Sequence, residues 1–297
     1  MLKHVWLELT TKCNLNCTHC GNNSGPSNPL NRDMSLSDWL SVIDEAASLN
    51  AASIQFIGGE PLLYSGLPDL LDYASALNFE SIEVFSNLTF LPPKVISSLI
   101  SAKAQVAFSI YGSTPRVHDA RTTIPGSLDK LVKSLHTLNK HSIPMRAGVI
   151  LDKKNSDYIN DIYDLLDSLD IENRSVDYVR SVGRANTAKN SDASLCGACG
   201  FQRLSVSNDG QISPCIFSFE TPIGNFKDIS LLDALSSDEL TKFRRQFSSS
   251  NGVMEAFCEP YLCGPDHRCV PDLRGPSCSP DYCQPGINKI IPTKTLD

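Results

Sequence analysis

Along the first 180 residues, short apolar runs alternate with stretches whose apolar residues recur at helical spacing. Val5 to Thr10 is the first run. Ser53–Ile57, Ser81–Ser86, Gln105–Tyr111, Pro144–Leu151 and Ser175–Val182 are five more. Runs of this length bounded by turn residues predict buried strands. Between them, Trp39, Leu40, Ile43, Ala46 and Ala47 share one face of a predicted helix over Trp39–Leu49, and Ser35 to Asp38 has the form of its start. Leu67–Leu77, Pro92–Ser101, Leu128–Leu138 and Tyr158–Leu169 are predicted helices too. Strands alternating with helices predict parallel βαβ units. Six strands are too few for an eightfold barrel. The expected α/β fold is therefore a partial (β/α)6 TIM-like barrel or an open doubly wound sheet. In either, reactive loops lie at the C-terminal ends of the strands. The loop after the first strand, Gly58-Gly59-Glu60-Pro61, Ser86-Asn87 and Ser109 to Gly112 should then converge on one mouth.

After residue 183 the texture changes. Asn186 to Ser194 is polar and reads as a linker. Residues 202–217 predict a hairpin turning at Asn208-Asp209-Gly210, and Leu231–Phe247 predicts a helix. From Cys258 onward the chain is rich in Cys, Pro and Gly and poor in apolar residues. Such a segment cannot build a core by burial alone, and bound metal would supply the missing staples. The expected organisation is a barrel domain over 1–185 and a small cysteine-rich domain over 186–297.

The 297 residues carry a net charge of −7 at a pI near 5.4. That balance argues against broad nucleic-acid binding, which needs a basic face. No apolar run approaches the ~20 residues of a membrane span. The first ten residues contain Glu8 and too short an apolar stretch for a signal peptide. A cytoplasmic location is expected, with no membrane partner. There the eleven cysteines point to metal binding, because disulfides suit oxidising compartments. None falls between Cys20 and Cys196. Cys13, Cys17 and Cys20 have the spacing C-x3-C-x2-C. Three thiolates on one loop can cap three irons of a four-iron cluster and leave the fourth open. Zinc is the alternative, with His19 as an awkwardly placed fourth ligand.

The cysteine triplet after the first strand, followed by Gly58-Gly59-Glu60-Pro61 after the second, resembles the radical SAM superfamily over about residues 3–185. The resemblance implies that the open iron binds S-adenosylmethionine. One electron from the [4Fe-4S] cluster then breaks a sulfur–carbon bond, and a 5′-deoxyadenosyl radical takes a hydrogen atom from substrate. The cofactor carries that chemistry, and the protein positions and shields it. By resemblance, Cys13, Cys17 and Cys20 hold the cluster. Gly58, Gly59 and Glu60 receive the methionine amino group. Ser86 and Asn87 hydrogen-bond ribose or the methionine carboxylate, as does Ser109. Arg146 pairs with that carboxylate. His19 stands where the family has an aromatic residue beside adenine. His118-Asp119 matches a recurrent pair whose expected role is a structural hydrogen bond.

The eight later cysteines resemble the SPASM extension of this superfamily, which binds auxiliary [4Fe-4S] clusters. The gaps after Cys258 and Cys269 are longer than in the family pattern. By analogy, Cys196, Cys199, Cys215 and Cys278 hold one cluster, and Cys258, Cys263, Cys269 and Cys283 the other. Structural zinc remains the alternative. Two complete clusters leave no spare thiol to return a hydrogen atom, which favours net oxidation of substrate over epimerisation. The resemblance implies a ribosomally made peptide as substrate, cross-linked or oxidised, with a reductase as electron donor. The chain starts at the first strand, so a separate peptide-recognition protein is an expected partner. The other functional readings are a small-molecule substrate, such as an antibiotic or sugar metabolite epimerised or dehydrogenated, and a non-enzymatic metal-stapled binding protein.

Overall fold

The computed structural model describes residues 2–30, 33–186, 195 and 199–248. Five further cysteine-rich positions, Cys258, Cys263, Cys269, Cys278 and Cys283, lie outside the described residues, as do Cys196 and most of the expected linker. Strands β1 (His4–Glu8), β2 (Ser53–Ile57), β3 (Ser81–Ser86), β4 (Gln105–Ile110), β5 (Met145–Leu151) and β6 (Arg174–Tyr178) pair in parallel in chain order. Helices α1 (Leu36–Ser48), α2 (Leu67–Ser75), α3 (Pro93–Ser101), α5 (Ser127–Lys140) and α6 (Ile159–Ser168) supply the crossovers. This is the partial barrel.

Alternation along the strands sorts the two faces of the sheet. Val5, Leu7, Ile54, Phe56, Val84, Phe108 and Val149 join Trp39, Ile43, Leu70, Leu131 and Ile162 of the helices in one apolar core. The intervening positions, Glu8, Gln55, Glu83 and Arg146, are buried and polar. Trp6 and Ile57, on that same concave face, pack instead with Leu195, Cys199, Cys215 and Phe243.

The hairpin forms as expected, from β7 (Arg203–Ser207) and β8 (Gln211–Ser213), and β9 (Gly224–Asn225) follows. β7 lies parallel to β1, with His4 opposite Arg203 and Glu8 opposite Ser207. The sheet thus has nine strands, ordered β6-β5-β4-β3-β2-β1-β7-β8-β9. Helices α7 (Leu231–Ser236) and α8 (Asp238–Ser248) replace the single helix expected there. The break falls at Ser237, whose backbone is extended and whose Oγ accepts from Leu240 N.

Two boundaries differ for local reasons. β6 ends at Tyr178, four residues early, because Asp177 turns the chain by accepting from Tyr178 N and from Arg180. Helix α4 (Pro115–Thr122) went unpredicted because its sequence, PRVHDART, has almost no apolar face. Capping was legible: Ser35 and Asp38 form a reciprocal capping box.

Candidate functional site

The cysteine loop leaves the end of β1 and is pinned from three directions. Gly59 N donates to Thr10 O (2.6 Å) and Glu60 N to Lys12 O (2.9 Å). A Cβ at Gly59 would stand 2.3 Å from Lys12 O, so only glycine allows this approach. From the β6 side, Arg184 N donates to Cys20 O (3.0 Å) and Arg184 Nε to Cys17 O (2.7 Å). Gly183 makes that contact possible: its φ is +54°, and a Cβ would lie 2.3 Å from two loop carbonyls. Below, the C-terminus of α4 accepts from Asn16 N (3.2 Å) and Thr18 N (2.9 Å). His118 and Asp119 of α4 serve structure. His118 Nδ1 accepts from Tyr111 N, and Asp119 accepts from Gly126 N, Ser127 Oγ and Leu128 N at the start of α5.

Around this loop lies a cavity of about 240 Å³. It is lined by Cys13, Cys17, Cys20, His19, Gly58, Gly59, Ser86, Asn87 and Ser109, which the topology brings together from four strand ends. Burial pushes the Cys13 and Cys17 thiols up to about 12. For Cys17 the neighbouring Cys20 and Cys13 add to this, and Arg184 opposes it. Burial pushes His19 down to about 4, so its ring is neutral. That ring meets Tyr111 edge-on at 4.7 Å. Asn87 Nδ2 reaches Cys13 Sγ (3.6 Å) and Asn14 Oδ1 (2.9 Å), tying β3 to the cysteine loop.

Two expected residues have other employment. Glu60 is fully buried and does not line the cavity. Its Oε1 accepts from Leu62 N (3.0 Å) and Ser86 Oγ (2.8 Å), and its Oε2 from Asn87 N (2.8 Å). The carboxylate clamps the end of β3. Burial raises it to about 7 against those three bonds. Arg146 is 1% exposed and is likewise absent from the lining. Its Nη2 (2.7 Å) and Nε (3.1 Å) bind Glu83, because a cation inside the barrel needs a buried counter-charge.

The cation that does line the cavity beside the cysteine loop is Arg184. Glu8, Gln55, Asp177 and Arg180 also line it. Sequence reading passed over all five. A signal existed for Glu8 and Gln55: each is a polar residue inside an apolar strand, at the period of the inward face. Phe217, two residues after Cys215, covers the far side with Ile216. Cys199 and Cys215 are both buried with Sγ atoms 3.2 Å apart.

Among the described residues no three Cys, His, Asp or Glu side chains gather tightly enough to hold a single metal ion. Three thiols on one pinned loop beside the cavity are the donor type that ligates three irons of a four-iron cluster. Buried thiols that hold their protons in isolation are the groups a bound metal deprotonates and stabilises. Fold and site together define a partial-barrel protein with a cysteine loop at the strand mouths.

Comparison with known proteins makes the class specific. Residues 7–166 match the radical SAM superfamily and residues 196–263 match SPASM, an iron–sulfur cluster-binding domain. The chain belongs to the radical SAM superfamily, and membership implies S-adenosylmethionine and iron–sulfur clusters. It is 27% identical over 180 residues to the AdoMet-dependent heme synthase of Methanosarcina barkeri, covering 60% of this chain and 51% of that one. It is 30% identical over 156 residues to the mycofactocin maturase MftC of Mycolicibacterium smegmatis, covering 52% and 39%. The matches thus span about half the length of these relatives or less. The fold matches Streptococcus suis SuiB, solved with S-adenosylmethionine bound, at a TM-score of 0.70 and 16% identity over 82% of this chain and 68% of that one. No helix among the described residues is long and apolar enough to cross a membrane.

Proposed function

We propose that this enzyme takes a hydrogen atom from a residue of a ribosomally made peptide and leaves it oxidised or cross-linked. The observation that carries the reading is the single cavity onto which the cysteine loop, Gly58-Gly59, Ser86-Asn87 and Ile216-Phe217 all open. When bound there, the cluster and S-adenosylmethionine supply a 5′-deoxyadenosyl radical. The chain's own residues do the rest. Cys13, Cys17 and Cys20 hold three irons. The close-packed backbone at Gly58-Gly59 leaves carbonyls for the methionine amino group. Ser86, Asn87 and Ser109 line the wall for ribose and carboxylate. Arg184 supplies positive charge beside the loop, the role expected of Arg146. Neutral His19 offers a flat face for adenine, and Phe217 with Ile216 keeps water from the reacting side.

A peptide substrate is supported by two relatives: SuiB has been solved with the precursor peptide SuiA, and MftC is a maturase. Cys199 and Cys215, converging behind Ile216 and Phe217, support an auxiliary cluster within reach of the cavity. We assign Cys196, Cys199, Cys215 and Cys278 to it, and Cys258, Cys263, Cys269 and Cys283 to a second, with a barrel domain over 1–185 and a cluster domain over 186–297. Surplus electrons from an oxidised substrate would pass to the nearer cluster.

The test uses anaerobically reconstituted protein, reduced with dithionite and supplied with S-adenosylmethionine. Wild type should release 5′-deoxyadenosine and carry about twelve irons, and a C13A/C17A/C20A variant should lose about four irons and all cleavage. About eight irons in wild type would remove the second auxiliary cluster and return free thiols to the late cysteines. Zinc in place of iron, with no cleavage, would overturn the reading. Co-expression with short peptides encoded beside the gene, followed by mass spectrometry, should show loss of hydrogen from one of them.

A further inference from the structure

The cavity wall carries two acceptors suited to a positive charge. Glu8, the last residue of β1, lines it and is 5% exposed. Among the described residues no hydrogen bond or ion pair meets its side chain, and its neighbours Asp209 and Cys215 oppose its ionisation. A carboxyl buried in that way ionises only when something cationic comes to meet it. A second acceptor stands one rung further in on the adjacent strand. Gln55 is 4% exposed and lines the same cavity. Its Nε2 donates to Glu83, which fixes the amide orientation and leaves Oε1 as the remaining atom. That oxygen is buried and has no hydrogen-bond partner among the described residues. Trp6 pairs with Gln55 and Glu8 with Ile57 in the β1–β2 register, so Glu8 and Gln55 occupy the same concave face.

The charges in the lining are divided. Arg184 stands at the cysteine loop. Arg180 is bound by Asp177 through Nη2 (2.8 Å) and Nε (3.2 Å). Among the described residues no lysine lines the cavity. Its lining also includes the apolar side chains Ile57, Phe85, Ile150, Ile216 and Phe217. A largely apolar cavity that holds two acceptors matches a side chain with an aliphatic stem and a cationic head.

We infer that the substrate residue entering this cavity is a lysine or arginine, its cationic nitrogen held by the Glu8 carboxylate and Gln55 Oε1. The inference rests on the cavity being the substrate site proposed above and names the side chain it takes. Glu8 contacts substrate directly, giving up its proton to solvent as the cation arrives, and the resulting ion pair selects substrate by charge. Gln55 adds a hydrogen bond and no charge.

The test is equilibrium dialysis of full-length, anaerobically reconstituted enzyme saturated with S-adenosylmethionine and kept oxidised. The probes are Nα-acetyl-lysine amide, its uncharged isostere Nα-acetyl-norleucine amide, and glucosamine. Wild type should bind the lysine probe at least about tenfold more tightly than the norleucine probe, the scale of one charge-assisted contact. In E8Q, matched to wild type for iron content, that ratio should fall below about threefold, and in Q55L it should fall partway. Equal binding of the two amides by wild type would overturn the inference without any variant. So would a preference that survives in E8Q, or Glu8-dependent binding of glucosamine in place of the lysine probe. Parallel reduced samples report 5′-deoxyadenosine. Absence of cleavage by wild type overturns the proposed function, whereas normal cleavage with no lysine preference overturns this inference alone.

Discussion

Replacing Gly59 with alanine should dislodge the cysteine loop while leaving the sheet intact. The added Cβ would sit 2.3 Å from Lys12 O and 2.7 Å from Lys12 C, both backbone atoms that cannot rotate away. Relief to even a tight contact requires the loop to retreat by about 0.7 Å. That movement strains two hydrogen bonds, Gly59 N to Thr10 O and Glu60 N to Lys12 O. Overpacking costs about 1–3 kcal/mol and each weakened bond about 0.5–1.5, giving a loss of about 2–6 kcal/mol. For a chain of this size that corresponds to a fall in Tm of roughly 3–10 °C. A control isolates loop displacement from simple destabilisation. Gly126 also has a left-handed backbone (φ +76°), but its added Cβ would meet nothing within 4 Å. G126A should therefore cost about 1–2 kcal/mol through backbone strain alone. The assay is Tm together with iron content after reconstitution and 5′-deoxyadenosine release. G59A should lose iron from the Cys13/Cys17/Cys20 site and most cleavage, and G126A should keep both. Full iron and normal cleavage in G59A, or equal iron loss in the two variants, would refute the argument that close backbone approach positions the thiols.

Other substitutions test the buried polar framework. R146M strands the Glu83 carboxylate inside the barrel and should cost about 3–5 kcal/mol in urea unfolding, whereas the double variant E83L/R146M should recover much of that loss. A single-variant loss below about 1 kcal/mol would mean the pair is not buried as described. E60Q turns an NH2 group toward one of the donors that Glu60 now accepts from, and should cost about 1–3 kcal/mol with no change in the pairing of β3. Stability should also depend on pH through Glu8, whose carboxyl is pushed up to about 8 by burial first, then by Asp209 and Cys215. The native chain keeps this proton where the unfolded chain, near 4.5, has lost it. Stability therefore falls as pH rises from about 4.5 and levels off above about 8, and E8Q should flatten that slope in urea titrations between pH 5 and 8.

The sequence by itself determined what is local or periodic. The spacing of Cys13, Cys17 and Cys20 lies within one loop, so the candidate cysteine loop was legible without a fold. Strand and helix order followed from apolar periodicity, and order alone sends the loops after β1 to β4 to one end of a parallel sheet. The capping box at Ser35 and Asp38 was legible for the same reason, being complete within four residues. The helix α4 was not, because tertiary contacts and not an apolar face hold it. Contacts between distant residues were decided only by tertiary structure. Glu60 meets Ser86 and Asn87 from 26 and 27 positions away, and that encounter converts an expected ligand into a clamp. Arg146 meets Glu83 across 63 positions, and Arg184 reaches Cys17 across 167. The positive charge at the cysteine loop is thus supplied by Arg184, to which sequence reading assigned no role. β7 reaches β1 across nearly 200 positions and closes Cys199 and Cys215 over the concave face. Which carboxylate stays buried against its partners and which lines the cavity depends on that packing, because a charge's environment is made by residues the chain itself does not place side by side.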